Sequence, residues 1–322
     1  MTSIEKVELY TMSRIVKVGI AQFEAVHLDL SSSLDRLEAI IKDAAKAEVA
    51  LLVFGETWLS GYPAWLDHCP EVAKWDHEAT KEAFLQLRKS SIEVGSKDTQ
   101  RIAQWVKEAN LQLVIGVNEK VSKGHGNGTI YNSLLTFSSE GQIVNHHRKL
   151  VPTFTEKMLY GQGDGHGLNA FDNGSYKVGG LICWEHWMPH TRQALHNEAE
   201  DIHVAVWPTV FERHQLASRH YAFEGRCFVL AAGQLIKAKD MPAGLQLPEE
   251  LKNKPDHYLC NGGSCIINPR GEYIIEPVFD VEQLITAEID LDLRIKEQIT
   301  LDVSGHYQRN DVSDFKIDKQ RK

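Results

Sequence analysis

Along this chain the spacing of apolar positions switches repeatedly between two and about 3.6 residues, as it does where strands alternate with helices. Val16, Val18 and Ile20 alternate with Lys17, Gly19 and Ala21, which predicts a strand. Hydroxyls at Ser31–Ser33 offer an N-cap, and Leu34, Leu37, Ile40, Ile41 and Ala44 then share one helical face. Val49–Phe54 is apolar without a break, as expected of a strand covered on both sides, and Glu56 stands just past its end. Residues 57–75 are rich in Trp, Tyr, Pro and Gly without a period and read as an ordered loop. Residues 76–109 predict two helices broken near Gly95–Ser96.

Leu111–Val117 predicts another buried strand, followed by the polar turn Ser122–Gly128. Ile130–Phe137 and Gln142–His146 flank Ser138–Gly141 as a hairpin. Beyond the glycine-dense loop Gly161–Gly167, Tyr176–Cys183 predicts a strand and Met188–Ala199 a helix. Ile202–Val206, Phe228–Gln234, Ser264–Asn268 and Leu284–Ile289 predict further strands, with a helix over about residues 213–226. The turn Asn268–Gly271 leads into Glu272–Ile275. Nothing repeats at a fixed period and no linker divides the chain. The pattern is that of one α/β domain over residues 16–299, with an N-terminal extension, 1–15, and a polar C-terminal tail, 300–322, expected to serve as an interface segment.

Composition narrows the function. Of 322 residues 43% are hydrophobic, enough for a sizeable core. A net charge of −9 without a clustered basic face argues against a nucleic-acid partner. No apolar run approaches the ~18–20 residues of a membrane span, and the opening residues lack the apolar stretch of a secretory signal. Five cysteines, an odd number in a long chain, do not read as a disulfide framework and point to a reducing, cytoplasmic setting. His186 and His190 lie four apart, but Pro189 intrudes and no HExxH pattern exists, so no metal is expected. The Gly161–Gly167 loop has no phosphate-loop character.

Candidate chemistry gathers at predicted strand ends. Cys183 closes a strand and precedes a helix, a junction where backbone N–H groups and a helix N-terminus would lower a thiol's pKa and stabilise developing negative charge. By position alone, a buried structural cysteine is the ordinary reading. Its surroundings, Gly-Gly-Leu-Ile-Cys-Trp-Glu-His-Trp-Met-Pro over Gly179–Pro189, crowd two glycines, two tryptophans, Glu185 and His186 around it. A carboxylate at Glu56 and an ammonium at Lys149, each after its own strand, would complete a hydrolytic set with this thiol.

The Gly179–Pro189 run resembles the nucleophile motif of the nitrilase superfamily, and its Cys-Trp-Glu start resembles the nitrilase branch. Val49–Pro63 (VALLVFGETWLSGYP) resembles the segment with the family's catalytic glutamate, here Glu56. His146–Gly165 (HHRKLVPTFTEKMLYGQGDG) resembles the segment with the catalytic lysine, here Lys149, and a second glutamate, here Glu156. Lys17–Ala25 and Ser304–Val312 are also similar to nitrilases, so the resemblance covers roughly residues 16–312. It implies a four-layer α-β-β-α sandwich. It also implies a cofactor-free, metal-free hydrolysis of a small-molecule nitrile to acid and ammonia, with Cys183 as nucleophile through a thioimidate and a thioester. A cyanide hydratase or dihydratase and an amidase are the neighbouring activities; Trp184 argues against the amidase. Tyr62, Trp184, His186, Trp187, Trp207, Pro208 and Thr209 are expected to line an apolar substrate pocket, with core packing the alternative for each tryptophan. The resemblance further implies a homodimer, formed through helices near Met188–Ala199 and Arg213–Cys227, or a larger homo-oligomer such as a spiral.

Overall fold

The computed structural model describes residues 14–322, so the extension expected over 1–15 lies, as far as residue 13, outside the described residues. The chain opens with β1 (Ile15–Gln22), α1 (Leu30–Lys46), β2 (Leu51–Val53), α2 (Trp65–His68), α3 (Glu78–Ser90), α4 (Lys97–Ala109), β3 (Gln112–Lys120), β4 (Ile130–Phe137) and β5 (Ile143–Arg148). It continues through β6 (Phe171–Asp172), β7 (Lys177–Ile182), α5 (Pro189–His196), β8 (Ile202–Val206), α6 (Glu212–Gly225) and β9 (Phe228–Ala232). It ends with β10 (Leu235–Lys237), α7 (Glu249–Lys252), β11 (Tyr258–Ile267), β12 (Tyr273–Phe279), β13 (Gln283–Asp290) and α8 (Asp292–Gln298).

Two sheets form. One runs β13-β1-β2-β3-β4-β5; the other runs β10-β11-β9-β8-β7-β6, with β12 also paired to β11. The parallel centres, β1-β2-β3 and β7-β8-β9, are the apolar runs of the sequence. Side-chain alternation explains why those runs have no polar face. Leu51 and Val53 of β2 point to the cluster between the sheets, where Val114, Val204 and Leu230 also lie. Leu52 and Phe54 point the other way, to Leu34, Leu37 and Ile41 of α1 and Ile102 and Val106 of α4. On the far side, Ala217, Tyr221 and Ala222 of α6 and Leu195 of α5 cover the second sheet. The four layers are therefore helix, sheet, sheet, helix, as expected.

Local departures from the sequence reading have clear causes. Asp29, not a serine of 31–33, caps α1: its Oδ1 accepts from the Ser32 N–H at 3.0 Å. Ser33 instead bonds the Val26 carbonyl. The expected helix over Met188–Ala199 starts at Pro189, whose fixed φ suits a first turn, and stops at His196. The strand expected from Ser264 begins at Tyr258, because β11 bends through Gly262 and Gly263 to reach β10, β9 and β12. In the tail, Phe315 and Ile317 pack on the core, Lys319 pairs with Glu198, and Arg321 pairs with Asp164. No helix among the described residues is long and apolar enough to cross a membrane.

One glycine sets the position of the segment after β2. That segment continues along β3: Phe54 N–H bonds Val114 O and Leu59 N–H bonds Gly116 O. A Cβ on Gly116 would lie 2.3 Å from Gly55 O and 2.4 Å from Thr57 N, so only glycine lets the backbone of Glu56 lie there. Gly116→Ala is expected to cost about 1–3 kcal/mol of stability, by overpacking against backbone. It should also lower turnover by more than the stability loss explains. Chemical denaturation beside steady-state kinetics checks this; wild-type values in both would refute it.

Candidate active site

Three strand ends converge at one edge of the sandwich. β2 delivers Glu56. β5 delivers Lys149, whose N–H extends the ladder by bonding Asn132 O at 2.8 Å. β7 delivers Cys183. A 3-10 turn over Phe154–Met158 brings Glu156 back over the lysine, with the Thr153 N–H donating to Glu156 Oε2 at 2.8 Å.

The Lys149 ammonium is fully buried and donates to Glu56 Oε1 at 2.8 Å, Glu156 Oε1 at 3.0 Å and Glu156 Oε2 at 2.7 Å. Burial alone would strip its proton; the two carboxylates reverse that and hold its pKa well above the lysine range. Glu156 also accepts from the Tyr62 hydroxyl at 3.0 Å. Every neighbour bonded to Glu156 is a donor, which fits an ionised carboxylate and leaves no place for a proton.

Glu56 differs. Asn132 Nδ2 and Lys149 both donate to its Oε1, at 2.7 and 2.8 Å, while its buried Oε2 has no hydrogen-bond partner. Burial raises the Glu56 carboxyl to about 7, against the pull of Lys149, and the nearby Glu156 charge adds to the rise. The two glutamates thus differ: Glu156 is saturated with donors, whereas Glu56 is a carboxyl able to exchange a proton near neutrality.

Cys183 sits at φ +52°, in the left-handed region, at the head of a five-residue 3-10 turn, Cys183–Trp187. The strand-to-helix junction is there, but α5 begins only at Pro189 and its N-terminus is not what the thiol meets. The expectation of a lowered thiol pKa is corrected accordingly. Burial raises the thiol pKa well above its ordinary value and Glu56 raises it further; Lys149 and the Trp184 backbone N–H pull the other way. Cys183 rests as a thiol beside a possible proton acceptor.

Glu185 ties the two sheets together at this point. It is fully buried and accepts from the backbone N–H groups of Leu150 and Ile182, both at 2.8 Å, and from His147 Nε2 at 2.9 Å. Leu150 follows the lysine and Ile182 precedes the cysteine, so one carboxylate fixes the spacing between them. The sequence reading noted Glu185 only as a neighbour of Cys183, and passed over Asn132 and His147. An asparagine in an alternating strand carries no mark of such a role.

A cavity of about 380 Å³ opens over these groups, lined by Cys183, Glu156, Tyr62, Trp184, Pro208 and Thr209 together with Phe154, Phe211, His214, Leu259 and Cys260. Asp67 and His68 stand on the same wall. His186, Trp187 and Trp207 of the expected pocket set do not line it. Trp207 is buried behind the wall, stacked between His186 and His214 at ring centroids of 4.7 and 4.5 Å. Trp187 lies behind Trp184, at 4.9 Å. A 3-10 turn places residues three apart on one side, so Cys183 pairs with His186 and Trp184 with Trp187. Among the described residues no group of three or more His, Cys, Asp or Glu is placed to hold a metal ion.

Glu56→Gln gives a sharp test of these electrostatics. The thiol titrates where Glu56 is ionised, so removing that charge should lower the apparent pKa of Cys183 alkylation, read by mass spectrometry against pH, by about one unit or more. Turnover should collapse in the same variant. An unchanged or raised alkylation pKa would refute the reading.

A family profile described as carbon–nitrogen hydrolase matches residues 17–296. A protein named Nitrilase 2, from an unknown prokaryotic organism, is 35% identical over 308 residues, covering 95% of this chain and 94% of its own. An arylacetonitrilase of Trametes versicolor is 35% identical over 320 residues, covering 95% and 98%. The crystal structure of a carbon–nitrogen hydrolase from Helicobacter pylori superposes with a TM-score of 0.69 at 16% identity, over 92% of this chain and 96% of that one.

Proposed function

The chain belongs to the carbon–nitrogen hydrolase family, and on that footing we propose that it is a nitrilase, converting an organic nitrile and two waters to a carboxylic acid and ammonia. The observation that carries the mechanism is the Lys149 ammonium, held between two carboxylates beside a protonated thiol. The thiol proton passes to Glu56, whose Oε2 is free to take it. The thiolate attacks the nitrile carbon, the C≡N bond becomes C=N, and the nitrogen takes the proton from Glu56 as a thioimidate forms. Lys149 stabilises the charge developing on nitrogen. Water, deprotonated by Glu56, adds to the thioimidate carbon as that proton goes to nitrogen; the proton of the new hydroxyl then passes through Glu56 to the amine, and ammonia leaves to give a thioester. A second water releases the acid and returns the proton to Cys183. Glu156 stays ionised and holds Lys149 in place. The residues present carry the whole proton balance without a cofactor.

The cavity supports an organic substrate. A space of about 380 Å³ walled by Trp184, Phe154, Phe211 and Leu259 fits an alkyl or aryl group, whereas cyanide would touch almost none of it. Ammonia release from a panel of aliphatic nitriles, aromatic nitriles, cyanide and amides tests this reading. Turnover is expected with organic nitriles and should fall by about four orders of magnitude or more in Cys183→Ala. Hydrolysis confined to amides or cyanide, or undiminished turnover in Cys183→Ala, would overturn it.

The protein is also proposed to pair with itself through α5 and α6. Support comes from Phe211, Leu216 and Phe223, apolar side chains exposed at or along α6. An open depression of about 860 Å³ bordered by Phe211, Leu216 and Arg219 lies along α6 and shares Phe211 with the substrate cavity. Sedimentation should give a dimer or larger species for the wild type, and Leu216→Glu should shift it toward monomer; a wild-type monomer would refute the pairing.

A further inference from the structure

Behind Cys183 runs a line of polar side chains that the reaction above does not use. His186, His203, Glu200 and Tyr221 are all buried in the layer between the second sheet and α6. His186 Nδ1 lies 2.7 Å from the Cys183 carbonyl oxygen, and its Nε2 lies 2.9 Å from His203 Nε2. His203 Nδ1 lies 3.0 Å from Glu200 Oε2, and the Tyr221 hydroxyl donates to Glu200 Oε1. Burying four polar side chains in a core is costly unless each is fully partnered. Here each one is. Room has also been left for them: a Cβ on Gly179 of β7 would lie 2.2 Å from Glu200 Oε2.

The direction of the line follows from its ends. A ring nitrogen facing a carbonyl oxygen must donate, so His186 Nδ1 carries a hydrogen. Burial, with His203 close by, holds the His186 pKa well below the ordinary range, so the ring is neutral and its Nε2 accepts. His203 Nε2 must therefore donate. Its other nitrogen meets Glu200, whose carboxyl burial raises to about 7, so a proton sits between them. Burial also holds His203 well below the ordinary histidine range, so this ring is neutral too: the proton rests on the Glu200 oxygen and donates to Nδ1, while His203 Nε2 keeps its hydrogen. Every donor from Tyr221 onward points toward Cys183.

The Cys183 carbonyl shares a planar peptide unit with the Trp184 N–H, and the two point in opposite directions. Pinning the carbonyl fixes the plane of this peptide and with it the direction of the Trp184 N–H, which is among the groups that favour the Cys183 thiolate. A donor chain feeding the carbonyl also polarises the amide and strengthens its N–H as a donor. The left-handed φ of Cys183 is a conformation that needs such outside support.

We infer that His186, supported by His203, Glu200 and Tyr221, is a positioning residue that locks the Cys183–Trp184 peptide so that its N–H stabilises the attacking thiolate. The inference rests on Cys183 being the nucleophile. It gives a role to a histidine that stands three residues from the cysteine yet faces away from the cavity.

The test combines three variants with two readouts: steady-state kinetics on a turned-over nitrile and the rate of Cys183 alkylation against pH, followed by mass spectrometry. His186→Leu removes the donor, and kcat is expected to fall roughly ten- to a hundredfold with KM within about threefold. Alkylation at fixed pH should slow as the thiolate loses a donor. His186→Asn keeps an N–H near the place of Nδ1 and should recover most of both. Tyr221→Phe removes one hydroxyl at the far end and should lower kcat several-fold with KM unchanged; it decides the matter if His186→Leu does not fold. Wild-type kcat in a folded His186→Leu or in Tyr221→Phe, or an asparagine variant as impaired as the leucine one, would overturn the inference. The alkylation readout needs no substrate, so failure here is separable from failure of the nitrilase reading, which Cys183→Ala tests.

Discussion

A lysine ammonium sealed from water and held by two carboxylates is the interaction on which this site depends. Removing Lys149 would leave two carboxylates in a dry environment without their cation, a far greater penalty than losing an exposed ion pair. The arrangement also has consequences for the chain. Glu56, Lys149 and Glu156 come from a strand end, another strand end and a 3-10 turn, so forming the charge cluster requires β2, β5 and the residue 154–158 segment to be in register together. Gly116 lets the first of these segments lie close against β3, and Glu185 ties the second to the cysteine strand across the gap between sheets.

Holding the lysine charged has an opposite effect on the thiol. Two acidic groups surround one cation, and burial penalises every added charge, so Cys183 stays protonated at rest. A permanently ionised thiolate would be open to oxidants and stray electrophiles. A thiol that loses its proton only to an adjacent carboxyl, as attack begins, confines nucleophilicity to the moment a substrate is in place. The pocket and the proton acceptor then act as one device, and the cysteine's reactivity belongs to the assembly rather than to the residue.

Much of this was legible in the sequence, because the strand ends are marked by apolar runs that stop abruptly. Val49–Phe54 predicts the layer that covers both sides of β2, and the position of Glu56 follows from where the run ends. The motifs around Lys149 and Glu156 put both residues in one set, and in the structure the two side chains meet. What stayed hidden depends on direction and on distance through space. His186, Trp187 and Trp207 were expected in the pocket because they adjoin reactive segments, but the threefold period of a 3-10 turn sends His186 beneath the cysteine and Trp187 behind Trp184. Glu185 bonds a backbone N–H 35 residues away, just past the end of a strand of the other sheet. No local pattern encodes that contact. The raised thiol pKa was likewise hidden, since a junction that looks electropositive in one dimension is surrounded by carboxylates in three.

The unequal count of two carboxylates to one ammonium bears on how a turnover ends. A nitrile enters without charge, and so does every covalent species before the last. On the proposed mechanism the acid finally released becomes an anion in a cavity where Glu156 is already paired with Lys149 and Glu56 regains its own charge. Like charges at such distances repel strongly where water is scarce. On that mechanism the finished product is repelled by the carboxylates beside it, which disfavours product inhibition.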